Sequence, residues 1–353
     1  MRNRMFLLVA VLVVVGLIVT ACTTPAQAPA TGKKLKVGLV TDVGGVNDKS
    51  FNQSAWAGVQ KAIKDLGAEG KFIESKQPTD YEKNIDQFAT EKYDVIISVG
   101  FLMGDATGIK AKQYSGVKFG IVDYGYFPTK GVAYCDDTKK DCYADGGLTN
   151  VTSLLFQEDE VGFLAGVLAG GMSKTGTVCS VSGMEIPPVV RFVVGYQNGA
   201  KFIKPSIKTL NVYIPSFIDP AKGKETGQSM IAQGCDVVFG VGGNTGNGGL
   251  LAAKEKGLMA IGVDVDQYGT YPEVKDALIS SAAKNVDVAV FEYLKAVSAG
   301  TSKAGINTAN LKNGGVGLAP FHDWDSKIPA DVKAKIKEAN DGLIGGKLQT
   351  GYK

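Results

Sequence analysis

From residue 35 almost to the C-terminus, strand-like apolar runs alternate with amphipathic runs at helical spacing. That alternation is the pattern of parallel sheets whose strands are joined by crossover helices. The first strand is expected over residues 35–43, feeding a helix near Ser50. Ser50 and Gln53 fit a capping box, and Trp56, Val59, Ile63 and Leu66 then fall on one helical face. Further strands are expected over 71–75, 94–100 and 118–124, with helices over 81–92 and 105–114 between them. A second series follows the segment Val151–Phe156, beginning with a helix rich in small residues over Glu158–Met172. Its strands are expected over 177–181, 211–215, 236–241 and 259–263. The run 277–285, with a helix to about residue 299, does not obviously extend this second series and is expected to cross back to the first. A chain beyond ~300 residues is expected to divide into domains. The expectation is therefore α/β, with two Rossmann-like lobes: 35–152 plus 284–312, and 153–283 plus 313–353.

Ahead of this pattern, Arg2 and Arg4 precede an apolar run over residues 5–19. The run is shorter than the ~18–20 residues of a spanning helix and reads as the core of a signal peptide, 1–21. It ends in Val19-Thr20-Ala21-Cys22, which resembles the bacterial lipobox, with Cys22 as the acylated residue. Residues 22–34 are rich in Thr, Pro and Ala, too polar to pack, and suit a flexible tether. The expected location is the extracytoplasmic face of the cell membrane, held by a lipid anchor. Removing the signal takes two of 38 basic residues and none of 35 acidic ones, so the formal charge falls from +3 to about +1. Such a balance gives no electrostatic reason to bind nucleic acid.

Four cysteines remain beside Cys22. Cys135 and Cys142 flank a polar loop that a disulfide could close, and Cys179 and Cys235 lie in apolar, strand-like segments. Export permits disulfides. Three pairings are open to four cysteines, and two buried free thiols are the alternative for the second pair. With no C-x-x-C and His322 as the single histidine, no metal site is expected.

In open α/β sheets, ligands bind beyond the carboxyl ends of the strands. After the first strand come Asp42, the pair Gly44-Gly45, Phe51 and Asn52. The glycines would let backbone approach a ligand. Asp42 could accept hydrogen bonds, and Phe51 offers an aromatic face. Asp48 or Ser50 could instead simply cap the helix, with Phe51 packed on the sheet. Other strand ends repeat the pattern: Asp123; Phe217 beyond a strand of the second series; the turn Gly242-Gly243-Asn244-Thr245-Gly246; Asp264; and Lys284. The glycine turn also suggests a dinucleotide site with Asp264 ~20 residues on. However, Thr245 stands where the last glycine belongs, and the turn is far from the first strand. No cofactor is expected. Enzymatic readings find no G-x-S-x-G elbow, and His322 reads as a surface or packing residue.

These strand-end motifs resemble the basic membrane protein family of bacterial lipoproteins, the substrate-binding proteins of ABC transporters typified by the purine nucleoside receptor of spirochaetes. The resemblance is carried by Thr41-Asp42-Val43-Gly44-Gly45 and Asp48-Lys49-Ser50-Phe51-Asn52-Gln53. It continues in the segments 183–192, 242–248 and 261–267. It implies a type I periplasmic-binding fold, two lobes joined by a hinge and closing on a nucleoside, with a membrane ABC permease as partner and a monomeric receptor. It implies further that Phe51 and Phe217 sandwich the purine. Asp42, Asp123 and Asp264 would bind the base edge and ribose hydroxyls, with Lys284 near the ribose and Asn52 and Gly243 lining the cleft. Ribose or another monosaccharide is the alternative ligand, and a surface or signalling protein on the same fold the alternative role.

Overall fold

The computed structural model describes residues 34–353; the signal-like segment 1–21, Cys22 and the tether up to residue 33 lie outside the described residues. Among the described residues, twelve strands form two six-stranded sheets. The first contains β1 (Lys36–Thr41), β2 (Glu69–Glu74), β3 (Val95–Val99), β4 (Lys118–Val122), β5 (Val151–Phe156) and β11 (Gly305–Ala309), in the order β11-β5-β4-β3-β1-β2. All its pairings are parallel. The second contains β6 (Thr177–Ser182), β7 (Lys208–Tyr213), β8 (Val237–Val241), β9 (Met259–Asp264), β10 (Leu278–Lys284) and β12 (Val316–Leu318), in the order β12-β10-β9-β8-β6-β7. Only β12 runs antiparallel to its neighbour.

Central strands such as Val-Ile-Ile-Ser-Val of β3 are buried along their whole length, because helices cover both faces of a parallel sheet. Those helices are α1 (Phe51–Leu66), α2 (Tyr81–Thr90) and α3 (Gly104–Gln113) in the first lobe. In the second they are α4 (Glu158–Met172), α5 (Pro187–Ile203), α6 (Pro220–Ala232), α7 (Gly243–Glu255) and the short α8 (Gln267–Thr270). α9 (Val286–Ser298) returns to pack on α1, and α10 (Ala330–Ile344) lies against α4. α4 and α5 pack backbone to backbone: a Cβ on Gly166 of α4 would lie 2.0 Å from the Tyr196 carbonyl oxygen of α5. This explains why α4 is so rich in small residues.

Two expectations need correction. β5 pairs with β4 and β11, so Val151–Phe156 belongs to the first sheet, and a boundary at 152/153 cuts through a strand. β10 pairs with β9 and so extends the second sheet, and the return to the first lobe begins only at Asn285. A local apolar run looks the same in either sheet; only its partner strand decides membership. The chain passes between sheets three times: from Phe156 to Glu158, from Lys284 to Val286, and from Ala309 to Val316.

Both sheets reverse their winding at the same place, between β1 and β3 and between β6 and β8. Such switch points are where loops diverge and leave a crevice. Two bonds tie chain segments locally: Cys135–Cys142 closes a loop after β4, and Cys179–Cys235 links β6 to the segment entering β8.

Candidate ligand-binding site

The two switch points face a common cleft of about 540 Å³, part of it open to solvent. Asp42 is the first residue beyond β1, and its N–H still donates to Val99 O at 3.1 Å, so sheet pairing holds it in place. Its Oδ1 accepts from Gly44 N and from Asn52 Nδ2, both at 3.1 Å. Asn52 Nδ2 also donates to Asp48 at 3.2 Å, while its Oδ1 is buried with no partner among the described residues. Asn52 thus holds two acids apart and keeps one acceptor free.

Helix α1 is not capped as its sequence suggests. Asp48 accepts from the backbone N–H groups of Ser50, Asn52 and Gln53 at 2.9–3.1 Å, whereas Ser50 makes no side-chain cap and its Oγ is buried without a partner among the described residues. A carboxylate has two acceptor oxygens and a full charge to set against the helix dipole, so it outcompetes a hydroxyl.

In the second lobe, Phe217 follows β7 and is buried. Its ring lies on Gly183, where a Cβ would meet it at 2.5 Å. Thr245, at the start of α7, holds the same loop: its N–H donates to Phe217 O at 3.2 Å and its Oγ1 to Ser216 O at 2.8 Å. The threonine that spoils the dinucleotide pattern therefore positions an aromatic side chain. Gly243, with φ 57°, begins α7 at the cleft wall.

Lys284, the last residue of β10, reaches back to the first lobe. Its ammonium lies 2.7 and 3.0 Å from the two oxygens of Asp123 and 3.2 Å from Glu158 Oε1, and 4.7 Å from the centre of the Phe51 ring. Glu158 in turn accepts from Arg191 Nε at 2.6 Å. Burial alone would lower the Lys284 pKa, but the carboxylates of Asp123, Glu158 and Asp264 outweigh it and raise it. Burial pushes Asp42 up to about 6 against its hydrogen bonds from Asn52 and Gly44. It pushes Asp123 to about 6 against the pull of Lys284. Asp264 rises furthest, to about 7, through burial and the neighbouring acids Asp123, Asp48 and Glu158, with Lys284 opposing.

The cleft brings together all eight residues singled out from sequence: Asp42, Phe51, Asn52, Asp123, Phe217, Gly243, Asp264 and Lys284. Phe101, Phe192 and Val189 also line it and were not anticipated, nor was the pairing of buried Glu158 with the part-exposed Arg191. Glu158 lies just past the end of β5, so the strand-end rule would have found it had Val151–Phe156 been read as a sheet strand. His322 stands outside this set, bonded to Asp266 at 2.7 Å and stacked on Tyr268. Among the described residues there is no cluster of metal-ligating side chains, and no helix long and apolar enough to cross a membrane.

Residues 35–346 match the family described as ABC transporter substrate-binding protein PnrA-like. The chain belongs to this family. It is 32% identical to the ABC transporter nucleoside-binding protein BmpA of Lactococcus lactis subsp. cremoris, over 99% of each chain. It is 35% identical to an uncharacterized lipoprotein of Pyrococcus furiosus, over 95% of this chain and 85% of the other. A solute-binding protein of an ABC transporter system from Aeropyrum pernix has a similar structure, with 28% identity and a TM-score of 0.78 over 89% of this chain and 92% of the other. The two-sheet architecture is thus the type I periplasmic solute-binding fold. Membership of a PnrA-like family implies a small-molecule ligand and a transporter permease as partner.

Proposed function

We propose that the cleft captures a purine nucleoside for import, in a receptor tethered by an acylated Cys22 to the outer face of the cell membrane and acting as a monomer. The observation that carries this reading is that Phe51 from one lobe and Phe217 from the other line one cleft, with acids from both lobes around them. Aromatic faces favour a planar base, worth ~1–3 kcal/mol per stacked base by analogy with single-stranded nucleic acids. Asp42 and the free Oδ1 of Asn52 offer adjacent acceptors to N–H groups on a base edge. Asp123 and Lys284 supply charged partners for ribose hydroxyls, and charge strengthens such bonds, with the Asp264 carboxyl as a further polar group. The nucleoside-binding name of the Lactococcus lactis relative supports the same ligand class.

The test is a thermal-shift series with inosine, guanosine, adenosine and ribose. A ligand that binds only the folded state raises Tm by mass action. A rise with nucleosides at micromolar concentration is expected. A rise with ribose alone would replace the purine by a sugar. Replacing Cys22 by serine should release the protein from membranes; retention there would remove the lipid anchor from the proposal.

A further inference from the structure

Glu158 touches Lys284 rather than the cleft, yet it is fully buried and ion-paired. A buried carboxylate is costly unless paired, and here both oxygens are used: Oε1 for Lys284 and Oε2 for Arg191. The side chains form an alternating series of acid, base, acid and base from Asp123 to Arg191, of which Arg191 alone reaches solvent appreciably. An ammonium has three N–H donors. In Lys284 they face the two oxygens of Asp123 and one of Glu158, so its position is defined from two sides.

The location of this pair matters as much as its charge. Glu158 opens α4 immediately after the first passage between lobes, and Lys284 ends β10 immediately before the second. The third passage is bonded to both. Gln157 N donates to Ala309 O at 2.8 Å and Leu311 N to Glu160 Oε2 at 2.8 Å, while Asn285 N donates to Gly315 O at 3.0 Å. The ion pair completes this set by joining the first passage to the second.

We propose that Glu158, backed by Arg191, is a positioning residue: it fixes the Lys284 ammonium at the cleft and thereby couples the cleft to the lobe crossings. Its effect on ligand affinity rests on the nucleoside reading above; its effect on the lobes does not. Removing the Glu158 charge leaves Lys284 and Arg191 as neighbouring cations without an acid between them, and Lys284 shifts toward Asp123.

A double-mutant cycle with inosine tests the first part. Glu158→Gln is expected to weaken inosine binding about tenfold when Lys284 is present and to have no further effect in a Lys284→Met background. An equal loss in both backgrounds, or no loss in the first, overturns the proposal. Arg191→Lys should retain more affinity than Arg191→Met, because the charge is kept. Should Glu158→Gln not fold, Arg191→Met runs through the same cycle. The second part is read without ligand, as the distance between spin labels at Gln60→Cys and Glu225→Cys in the detergent-solubilised full chain. Glu158→Gln and Lys284→Met should each broaden that distribution, and the double variant no more than either. An unchanged distribution refutes the coupling even where no nucleoside binds, whereas absent binding with a broadened distribution refutes only the nucleoside reading.

Discussion

Asp123 and Asp264 are counterparts in the two lobes: each stands at the carboxyl end of the second strand beyond the switch point, β4 or β9, and each has left-handed backbone, with φ 70° and 65°. Such a conformation in a residue with a side chain costs ~1–3 kcal/mol and is met where function constrains the chain. The two differ in their partners. Asp123 is ion-paired to Lys284, while no hydrogen bond to the Asp264 carboxylate is found among the described residues.

That difference predicts a pH dependence. Unfolded, Asp264 titrates near 3.8; folded, burial raises it to about 7. Between those values the folded chain keeps a proton that the unfolded chain has lost, so the contribution of Asp264 to stability is fully present below about pH 4. It is lost as pH rises through 7, with a slope of up to ~1.4 kcal/mol per pH unit. Asp42 and Asp123 shift in the same direction, so the comparison must be with Asp264→Asn. Urea unfolding at pH 5 to 8 should show stability falling less steeply with pH in the variant than in the parent chain. Parallel curves would refute the assignment.

Phe51 and Phe217 should each matter for affinity. Phe51→Ala and Phe217→Ala are expected to weaken nucleoside binding by ~1–3 kcal/mol, about 5- to 140-fold. Calorimetric titration with inosine measures this. Phe217→Ala also removes a buried ring from Gly183 and lowers Tm, whereas the half-buried Phe51 should leave Tm closer to the parent value. Two variants that bind as tightly as the parent would exclude stacking.

Much of this site is legible in the sequence for a physical reason. A strand buried on both faces is a continuous apolar run, so its end is marked abruptly by glycine or a charge, as at Asp42, Asp123 and Asp264. What a local pattern does not contain is the identity of a distant partner. Glu158 reads as an ordinary acid in the first turn of a helix, where the dipole favours it; its burial against Lys284, 126 positions away, follows from the lobe crossings. The helix cap misleads for a related reason. Ser50 and Gln53 have the right spacing, but Asp48 lies two residues earlier and its carboxylate reaches the same N–H groups.

The two disulfides should differ in weight. Cys179–Cys235 closes a separation of 56 residues and Cys135–Cys142 one of 7. On chain entropy alone, these restrict the unfolded chain by about 4 and about 2.5 kcal/mol. Replacing Cys179 and Cys235 together by serine should therefore lower unfolding free energy more than the same change at Cys135 and Cys142. Denaturant titration of the two double variants decides the order, and the reverse order would show that the loop around Cys135 is held chiefly by its disulfide.

Lobe closure should depend on Lys49, in the loop between β1 and α1. Lys49 has φ 64°, and its carbonyl accepts from Thr270 Oγ1 at 2.8 Å and Gln267 Nε2 at 3.3 Å of the second lobe. Its ammonium lies 3.3 Å from Glu273 and 4.1 Å from the Tyr271 ring centre, and Asn247 Nδ2 donates to Asp48 O at 3.0 Å. These contacts exist only when the lobes are together, so they slow opening more than they speed encounter. Thr270→Val removes one hydrogen bond, worth ~0.5–1.5 kcal/mol, without changing the shape of the side chain. Stopped-flow release of inosine should be about 2- to 12-fold faster in this variant, with little change in association. Thr270→Ser, which keeps the hydroxyl, should behave like the parent chain. If the valine variant releases inosine no faster than the serine variant, the Lys49 contact does not latch the lobes.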